Sequence, residues 1–425
     1  MRWLVAFVLL ASVAAADDLA GKADAFRDAI HARHLSREGV LLYNVDLRRV
    51  ERDLADGTYP EAADGPTFNG LFAGAACARA ETTTGAEHER ALADASAAFA
   101  GLELLLDVTG VQGLLARSVR RAPPVAGDPS EWHAATGRFT GWYWRGDVSQ
   151  DQYANGLVFA VGLCRRVFPE RARRLAVDAA SHLIAHDYEL TDPDGTRTRY
   201  GDLTWHSGLG FNAIAQLTSY AVISLAARLD SDPRWPAERD RLRDHYRVVA
   251  RARFTNLRIF GITGYSNDLM AFDLYRVLVP LARETRDPAL ADLRASLWRA
   301  WLRVEPDRNP YFTLVFCELE PTSCTAELLA GVHDSLASFP LEKRKLAPSP
   351  ELAALPRRWL PGRDFQAQAR DVVPMALRPP SSFEWKSSPY RLTQPSNPNT
   401  EYTGLDYLVA YWLYAAVCGE RGDCP

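Results

Sequence analysis

The sequence lacks a second long apolar segment, and it lacks a strong charge imbalance. Beyond residues 3–13, no charge-free apolar run approaches the roughly 20 residues that cross a bilayer. Forty-nine Lys and Arg residues against 53 Asp and Glu residues give a formal charge of −4. Near-balanced charge provides no electrostatic drive toward nucleic acid or an anionic membrane. We therefore expect neither a nucleic-acid partner nor a membrane-bound mature protein.

Several short motifs of catalysis and cofactor binding are also absent. The chain has no GxxxxGK[ST] loop, no GxSxG motif and no CxxC pair. These absences argue against a nucleotide-binding loop, a serine-hydrolase elbow and a zinc site. We expect no metal and no cofactor, so any chemistry must come from ordinary side chains.

The first 16 residues have the pattern of a secretory signal peptide. Arg2 provides a cationic start, residues 3–13 form the apolar run, and Ala14 and Ala16 are small residues in front of acidic Asp17. Cleavage after Ala16 would leave residues 17–425 as one exported domain, secreted or periplasmic. The sequence does not indicate its oligomeric state.

Six cysteines in an exported chain are compatible with disulfides. The segments CELEPTSC (residues 317–324) and CGERGDC (residues 418–424) could each close a small loop between their end cysteines. Cys77 and Cys164 lie on apolar helix faces, and we expect them to be buried small residues without a disulfide.

Helical periodicity dominates the chain, and strand-like alternation is rare. From Phe68 onward, pairs of helices follow one another and give about six helical hairpins. In each hairpin the first helix is apolar nearly all round, whereas the second carries charged residues on one face. Because an apolar helix is buried and an amphipathic helix faces solvent, this pattern predicts an all-α fold with two concentric rings of helices.

This organisation resembles the (α/α)6 toroid of the six-hairpin glycosidase superfamily, from about Phe68 to the end of the chain. The resemblance rests on the helix pattern and on polar residues at the starts of the inner helices, because no single family's catalytic signature is present. It implies a funnel at one end of the inner ring, where sugars bind and carboxylates act. An irregular all-α bundle would contain the same helices without a common funnel.

Polar residues gather at the starts of the predicted inner helices, and in a toroid those starts would meet at one end. The segment GWYWRGDVSQDQYANG, residues 141–156, is the densest example. We predict four catalytic residues, Asp151, Asp268, Asp406 and His206. The predicted substrate-binding residues are Trp142, Tyr143, Trp144, Arg145, Asp147, Asn155, Trp205, Tyr265, Asn267, Glu401 and Tyr402.

Structural explanations exist for several of these residues. Ser149 and Gln152 have the spacing of a capping box, and the helix dipole would stabilise Asp151 in the first turn. Arg117 follows a predicted helix end but could also reach the funnel and contact an anion or hydroxyl. Asp406 lies within an apolar helix, where a charge needs a partner or water.

Three functions are consistent with these patterns, and all involve a glycan or another small polar ligand. A glycoside hydrolase would use Asp151 in one role and Asp268 or Asp406 across the funnel in the other. A polysaccharide lyase would instead neutralise a uronate with Arg145 or Arg117 and remove a proton with His206 and a tyrosine, Tyr265 or Tyr143. A non-catalytic glycan-binding or structural envelope protein would keep the aromatic residues without opposed carboxylates.

Overall fold

The computed structural model describes residues 18–59, 63–124, 131–255, 264–358, 367–422 and 424. The predicted signal peptide and its cleavage site after Ala16 lie outside the described residues. The described part is mostly helical and contains a few short strands. Within it, no helix is both long and apolar enough to cross a membrane.

The helices follow the predicted pairs closely. In chain order they are α1 (Leu19–Ala29, continuing as the π-helical Ile30–His34), α2 (Val50–Asp56), α3 (Gly65–Thr82), α4 (Gly85–Asp107), α5 (π-helical Gln152–Val158, then α-helical Phe159–Cys164), α6 (Pro169–Ala185), α7 (Ala213–Leu229), α8 (Arg234–Asp240, continuing as the π-helical Arg241–His245), α9 (Val248–Arg251), α10 (Tyr265–Thr285), α11 (Leu290–Val304), α12 (Pro310–Leu319), α13 (Ala326–Ala337), α14 (Pro350–Ala353) and α15 (Leu405–Arg421). The helical segment after Arg234 is interrupted between α8 and α9, because Arg247 adopts a left-handed backbone conformation there.

Burial separates the helices into two groups, as their sequences indicate. Helices α3, α5, α7, α10, α12 and α15 are buried on nearly every side. Helix α6 shows the other pattern, with buried residues such as Ala172, Leu175 and Ala179 on one face and arginines on the other. A helix buried all round lies in the core, whereas a one-sided helix covers it.

The buried helices contact one another in a closed series. Helix α3 contacts α5, α5 contacts α7, α7 contacts α10, α10 contacts α12, α12 contacts α15, and α15 returns to α3. Helix α10 also contacts α5 directly. The one-sided helices pack outside this series, with α4 on α3, α6 on α7, α11 on α10 and α13 on α12. The first and last helices, α1 and α15, also contact each other.

Glycines allow the central backbones to approach closely where α3 meets α5. A Cβ atom added to Gly70 would lie only 2.1 Å from the carbonyl oxygen of Gly156. No side chain larger than hydrogen fits there without moving one of the helices, so these two glycines set the distance between α3 and α5.

Within the described residues, three small sheets accompany the helices, and the helical periodicity of the sequence did not predict them. The strands are β1 (Asn44–Asp46), β2 (Ser118–Arg120), β3 (Trp132–Ala134), β4 (Tyr143–Arg145), β5 (Glu189–Thr191), β6 (Arg197–Asp202), β7 (Arg344–Lys345) and β8 (Asn397–Tyr402). They pair antiparallel in the orders β1-β8-β7, β2-β4-β3 and β5-β6. The sheets therefore order long connections that the sequence presented as loops.

The structure contains three disulfides and corrects one prediction. Cys317–Cys324 and Cys418–Cys424 close the two short loops, and Cys77–Cys164 joins α3 to α5. The expectation that Cys77 and Cys164 stay unpaired is wrong. The contact between the two helices places their Cα atoms 5.2 Å apart, within the range that a disulfide spans.

Candidate functional site

The starts of several buried helices are joined by polar contacts at one end of the core. The Gln152 side chain, at the start of α5, donates a hydrogen bond to the Ala63 carbonyl just before α3, at 2.7 Å. The Asn212 amide, which caps α7, donates to Gln150 Oε1 at 3.3 Å. These contacts bring together the starts of α3, α5 and α7, which are far apart in sequence.

Arg117 lies at the centre of this region. Its Nε donates to the Ala63 carbonyl at 2.9 Å, its Nη2 is 3.6 Å from Asp64 Oδ1, and its Nη1 is 3.7 Å from Asp147 Oδ2. Lys386 approaches Asp64 from the other side, with Nζ 3.6 Å from Oδ2. All four side chains are partly exposed, so a ligand could reach them. We call Asp64, Arg117, Asp147 and Lys386 the helix-start cluster.

The chain turns sharply at Asp147, which fixes the direction of its carboxylate. Asp147 has a φ of 57°, a left-handed conformation that Asp tolerates better than most residues. Its Oδ1 accepts a hydrogen bond from the Arg199 backbone N–H at 2.7 Å, and its own N–H donates to Asp192 Oδ2 at 3.0 Å. Burial raises the pKa of Asp192. Asp147 is therefore held between β6 and the β5–β6 turn.

The predicted capping box at the start of α5 forms in part. Gln152 Oε1 accepts from the Ser149 backbone N–H at 3.2 Å, which is one of the two expected bonds. The Ser149 hydroxyl donates instead to Asp151 Oδ1. Ser149 thus orients the Asp151 carboxylate, which remains partly exposed next to the cluster.

The three predicted substrate-binding residues Trp142, Tyr143 and Trp144 lie in or beside β4 and do not present one surface. Trp144 is buried, with its ring 4.4 Å from that of His133. The guanidinium of Arg121 covers one face of Trp142 at 4.6 Å. Tyr143 is half-buried on the opposite side of the strand from Trp144. Arg145 follows them and is 3.5 Å from Glu131.

Exposed aromatic rings near the cluster come instead from β6 and from the segment that follows it up to α7. Tyr200 is 60% exposed and Phe211 is 73% exposed, and Leu209 between them is 92% exposed. Sequence reasoning missed these residues. The available signal was GLGF, two apolar side chains placed among glycines in a polar loop.

Trp205 and His206 lie in the same segment but differ in their surroundings. The Trp205 ring stacks on Tyr246 at 3.8 Å, and the Arg241 guanidinium lies 5.6 Å from it. Its carbonyl accepts from Arg251 at 2.6 Å. His206 is exposed and meets Trp205 edge-on at 5.5 Å. Trp205 therefore anchors the segment, whereas His206 faces solvent.

Two of the predicted catalytic carboxylates are fully buried. Asp406 Oδ2 accepts from Lys343 Nζ at 2.7 Å and from the Glu384 backbone N–H at 2.9 Å. Asp268 lies in the first turn of α10 with only 1% of its surface exposed. A paired, buried charge is explained by structural needs alone. The contacts therefore account for the burial of Asp406 without assigning it any chemistry.

Three further predicted substrate-binding residues, Tyr265, Asn267 and Asn155, lie near the starts of α10 and α5. Tyr265 is half-buried and Asn267 is exposed, both in the first turn of α10. Asn155 is buried in α5, and its Oδ1 makes no hydrogen bond to another described residue.

Glu401 and Tyr402 belong to a different place, in β8. Glu401 accepts from Arg33 Nε at 2.8 Å and pairs with His34 Nε2 at 3.1 Å. Burial acts to raise the pKa of Glu401, but His34 and Arg33 outweigh it and the pKa is lowered. Both residues line an open cavity of about 320 Å³ that also includes Lys343. Glu401, Tyr402 and the Lys343 partner of Asp406 thus share one cavity.

No known protein family, no curated protein and no solved structure matches this chain. Within the described ranges, no group of three His, Cys, Asp or Glu side chains is arranged to hold a metal ion. The proposal of a function therefore rests on the contacts of the helix-start cluster.

Proposed function

We propose that this chain folds as an (α/α)6 toroid similar to the six-hairpin glycosidases. The closed series of contacts from α3 through α15 and back supports an inner ring. The one-sided helices packed outside it support an outer ring. In such a toroid the helix-start cluster lies at the mouth of the inner ring.

We infer that the protein is an exported carbohydrate-active enzyme, most simply a glycoside hydrolase. One observation carries this inference: a single arginine, Arg117, holds two partly exposed carboxylates, Asp64 and Asp147, and a third carboxylate, Asp151, follows four residues after Asp147 in the chain. Carboxylates that converge from separate parts of a chain supply the acid and base of glycoside hydrolysis. The three disulfides fit export, because such bonds persist in oxidising compartments.

The geometry around Arg117 limits how far apart two of these carboxylates lie. Nη1 is 3.7 Å from Asp147 and Nη2 is 3.6 Å from Asp64. Since both nitrogens belong to one planar guanidinium group, the two carboxylates lie within about 10 Å of each other. Glycosidases hold their two carboxyl groups about 5 to 9.5 Å apart, so the limit on Asp64 and Asp147 is compatible with such a pair, and Asp151 follows Asp147 by four residues in the same polar segment.

We assign one catalytic role to Asp151 and the other to Asp64. Asp64 replaces Asp268 and Asp406 as the partner because both of those carboxylates are buried, whereas Asp64 is partly exposed. Asp147 then orients Arg117, which can contact a substrate hydroxyl.

The test measures release of reducing ends from a neutral β-glucan, xylan, pectate and alginate. Wild-type protein should cleave at least one polymer, and Asp151→Asn should lower the rate by about 10²-fold to 10⁴-fold, the usual contribution of a general acid or base. Asp334→Asn on α13 is the matched control, because that carboxylate is 84% exposed on an outer helix. The proposal fails if wild-type protein cleaves none of the four polymers, or if Asp151→Asn cleaves as fast as Asp334→Asn.

A polysaccharide lyase is the second candidate, and the cations of the cluster favour it. Arg117 and Lys386 flank Asp64, and the Arg199 guanidinium lies 3.7 Å from Asp147. Such cations can neutralise a uronate carboxylate. Ultraviolet absorption by an unsaturated product from pectate or alginate would identify a lyase. Binding of a polymer without cleavage would identify the third alternative, a glycan-binding protein.

A further inference from the structure

The segment from β6 to the start of α7 exposes three apolar side chains beside the helix-start cluster. Tyr200, Leu209 and Phe211 are 60%, 92% and 73% exposed. Single exposed apolar residues are common on protein surfaces, but a group of them in one segment indicates an interaction site. We call these three residues the apolar platform.

Hydrogen bonds hold both ends of this segment against residues 147–150, which precede α5. At one end, the Arg199 N–H, adjacent to Tyr200, donates to Asp147 Oδ1 at 2.7 Å. At the other end, the Asn212 amide, adjacent to Phe211, donates to Gln150 Oε1 at 3.3 Å. Tyr200 therefore follows the residue that donates to Asp147. Phe211 precedes the residue that donates to Gln150, and Gln150 is the chain neighbour of Asp151.

The backbone between these ends holds Leu209 in an unfavourable state. Gly208, Leu209 and Gly210 have φ values of 57°, 59° and 84°, all left-handed. A left-handed leucine is strained, and an exposed one gains nothing from burial. The stability of the fold therefore does not explain a leucine here, and such outliers are found at ligand sites.

We propose that the apolar platform binds sugar units of a polysaccharide beyond those that react, so that the substrate is a polymer and not a mono- or disaccharide. Aromatic rings stack on the apolar faces of pyranose rings. The exposed His206 and the Asn212 amide lie in the same segment and offer polar contacts to hydroxyl groups. This inference rests on the proposed function, because it extends the site built around Asp151.

Affinity electrophoresis measures the binding directly, in native gels that contain one of the same four polysaccharides. The wild-type protein should be retarded by at least one polymer, and free disaccharide from that polymer should compete poorly. Tyr200→Ala and Phe211→Ala should each raise the dissociation constant about 3-fold to 10-fold. Leu302→Ala is the matched control, since Leu302 is 60% exposed on the outer helix α11.

Each outcome decides one of the two proposals. Equal retardation of the platform variants and Leu302→Ala overturns the platform, as does the absence of retardation of wild-type protein in all four gels. If the variants bind less tightly but wild-type protein releases no reducing ends, the platform stands and the hydrolase proposal fails. If cleavage occurs and its KM is the same in Tyr200→Ala, the hydrolase stands and the platform fails. Thermal unfolding of each variant checks that its fold is intact.

Discussion

Replacing Asp273 by asparagine should change how the stability of this protein depends on pH. Asp273 is fully buried in α10, and its Oδ1 accepts a hydrogen bond from the Tyr311 hydroxyl of α12 at 2.6 Å. Its Oδ2 makes no hydrogen bond to any other described residue. Burial raises the pKa of Asp273 from 3.8 to about 8, although Tyr311 and Arg276 act in the opposite direction.

Proton linkage sets the direction in which the unfolding free energy changes with pH. Between the unfolded pKa of 3.8 and the folded pKa of about 8, the folded state keeps a proton that the unfolded state releases. The stabilising contribution of Asp273 is therefore complete below pH 3.8 and is lost as pH rises toward 8. The loss is about 1.4 kcal/mol per pH unit, or roughly 3 kcal/mol from about pH 5 to about pH 7. Asparagine does not titrate, so Asp273→Asn should lack this loss.

Urea unfolding followed by far-ultraviolet circular dichroism, at several pH values between about 5 and 8, measures the effect. The informative quantity is the difference in unfolding free energy between wild type and Asp273→Asn, because other titrating groups cancel in it. Asp46→Asn is the control. A hydrogen bond from Arg48 lowers the pKa of Asp46 to about 2, so Asp46 changes the unfolding free energy with pH only below the pKa of an unfolded aspartate. A difference for Asp273→Asn that does not change with pH would refute the reasoning.

Two further predictions concern the packing of α3. Replacing Cys77 and Cys164 together by alanine opens a loop with a sequence separation of 87 and should lower the unfolding free energy by about 4 to 5 kcal/mol; an unchanged melting temperature would contradict this. Gly70→Ala should destabilise the fold by more than about 2 kcal/mol through its clash with Gly156, whereas Gly331→Ala in α13, which meets no atom within 4 Å, should stabilise it by about 0.5 to 1 kcal/mol. Thermal melts of the two glycine variants should therefore shift in opposite directions.

The sequence by itself determined the helices and their separation into buried and one-sided groups. Apolar residues all round α3 and α7, and a charged face on α6, are local properties that survive in any arrangement. The polar residues at the helix starts were visible for the same reason. Asp147 and Asp151 were identified in this way, and Arg117 was noted as able to reach the funnel.

Tertiary structure decided which of those residues meet. Asp64 was not predicted, because its role depends on contact with Arg117, which lies more than 50 positions away in the chain. Trp144 was predicted to bind substrate. Pairing between β2, β3 and β4 instead turns its side chain inward against His133. Cys77 and Cys164 became a disulfide only because α3 and α5 pack together. Local sequence fixes which face of an element is apolar, whereas distances between elements depend on packing of the whole chain.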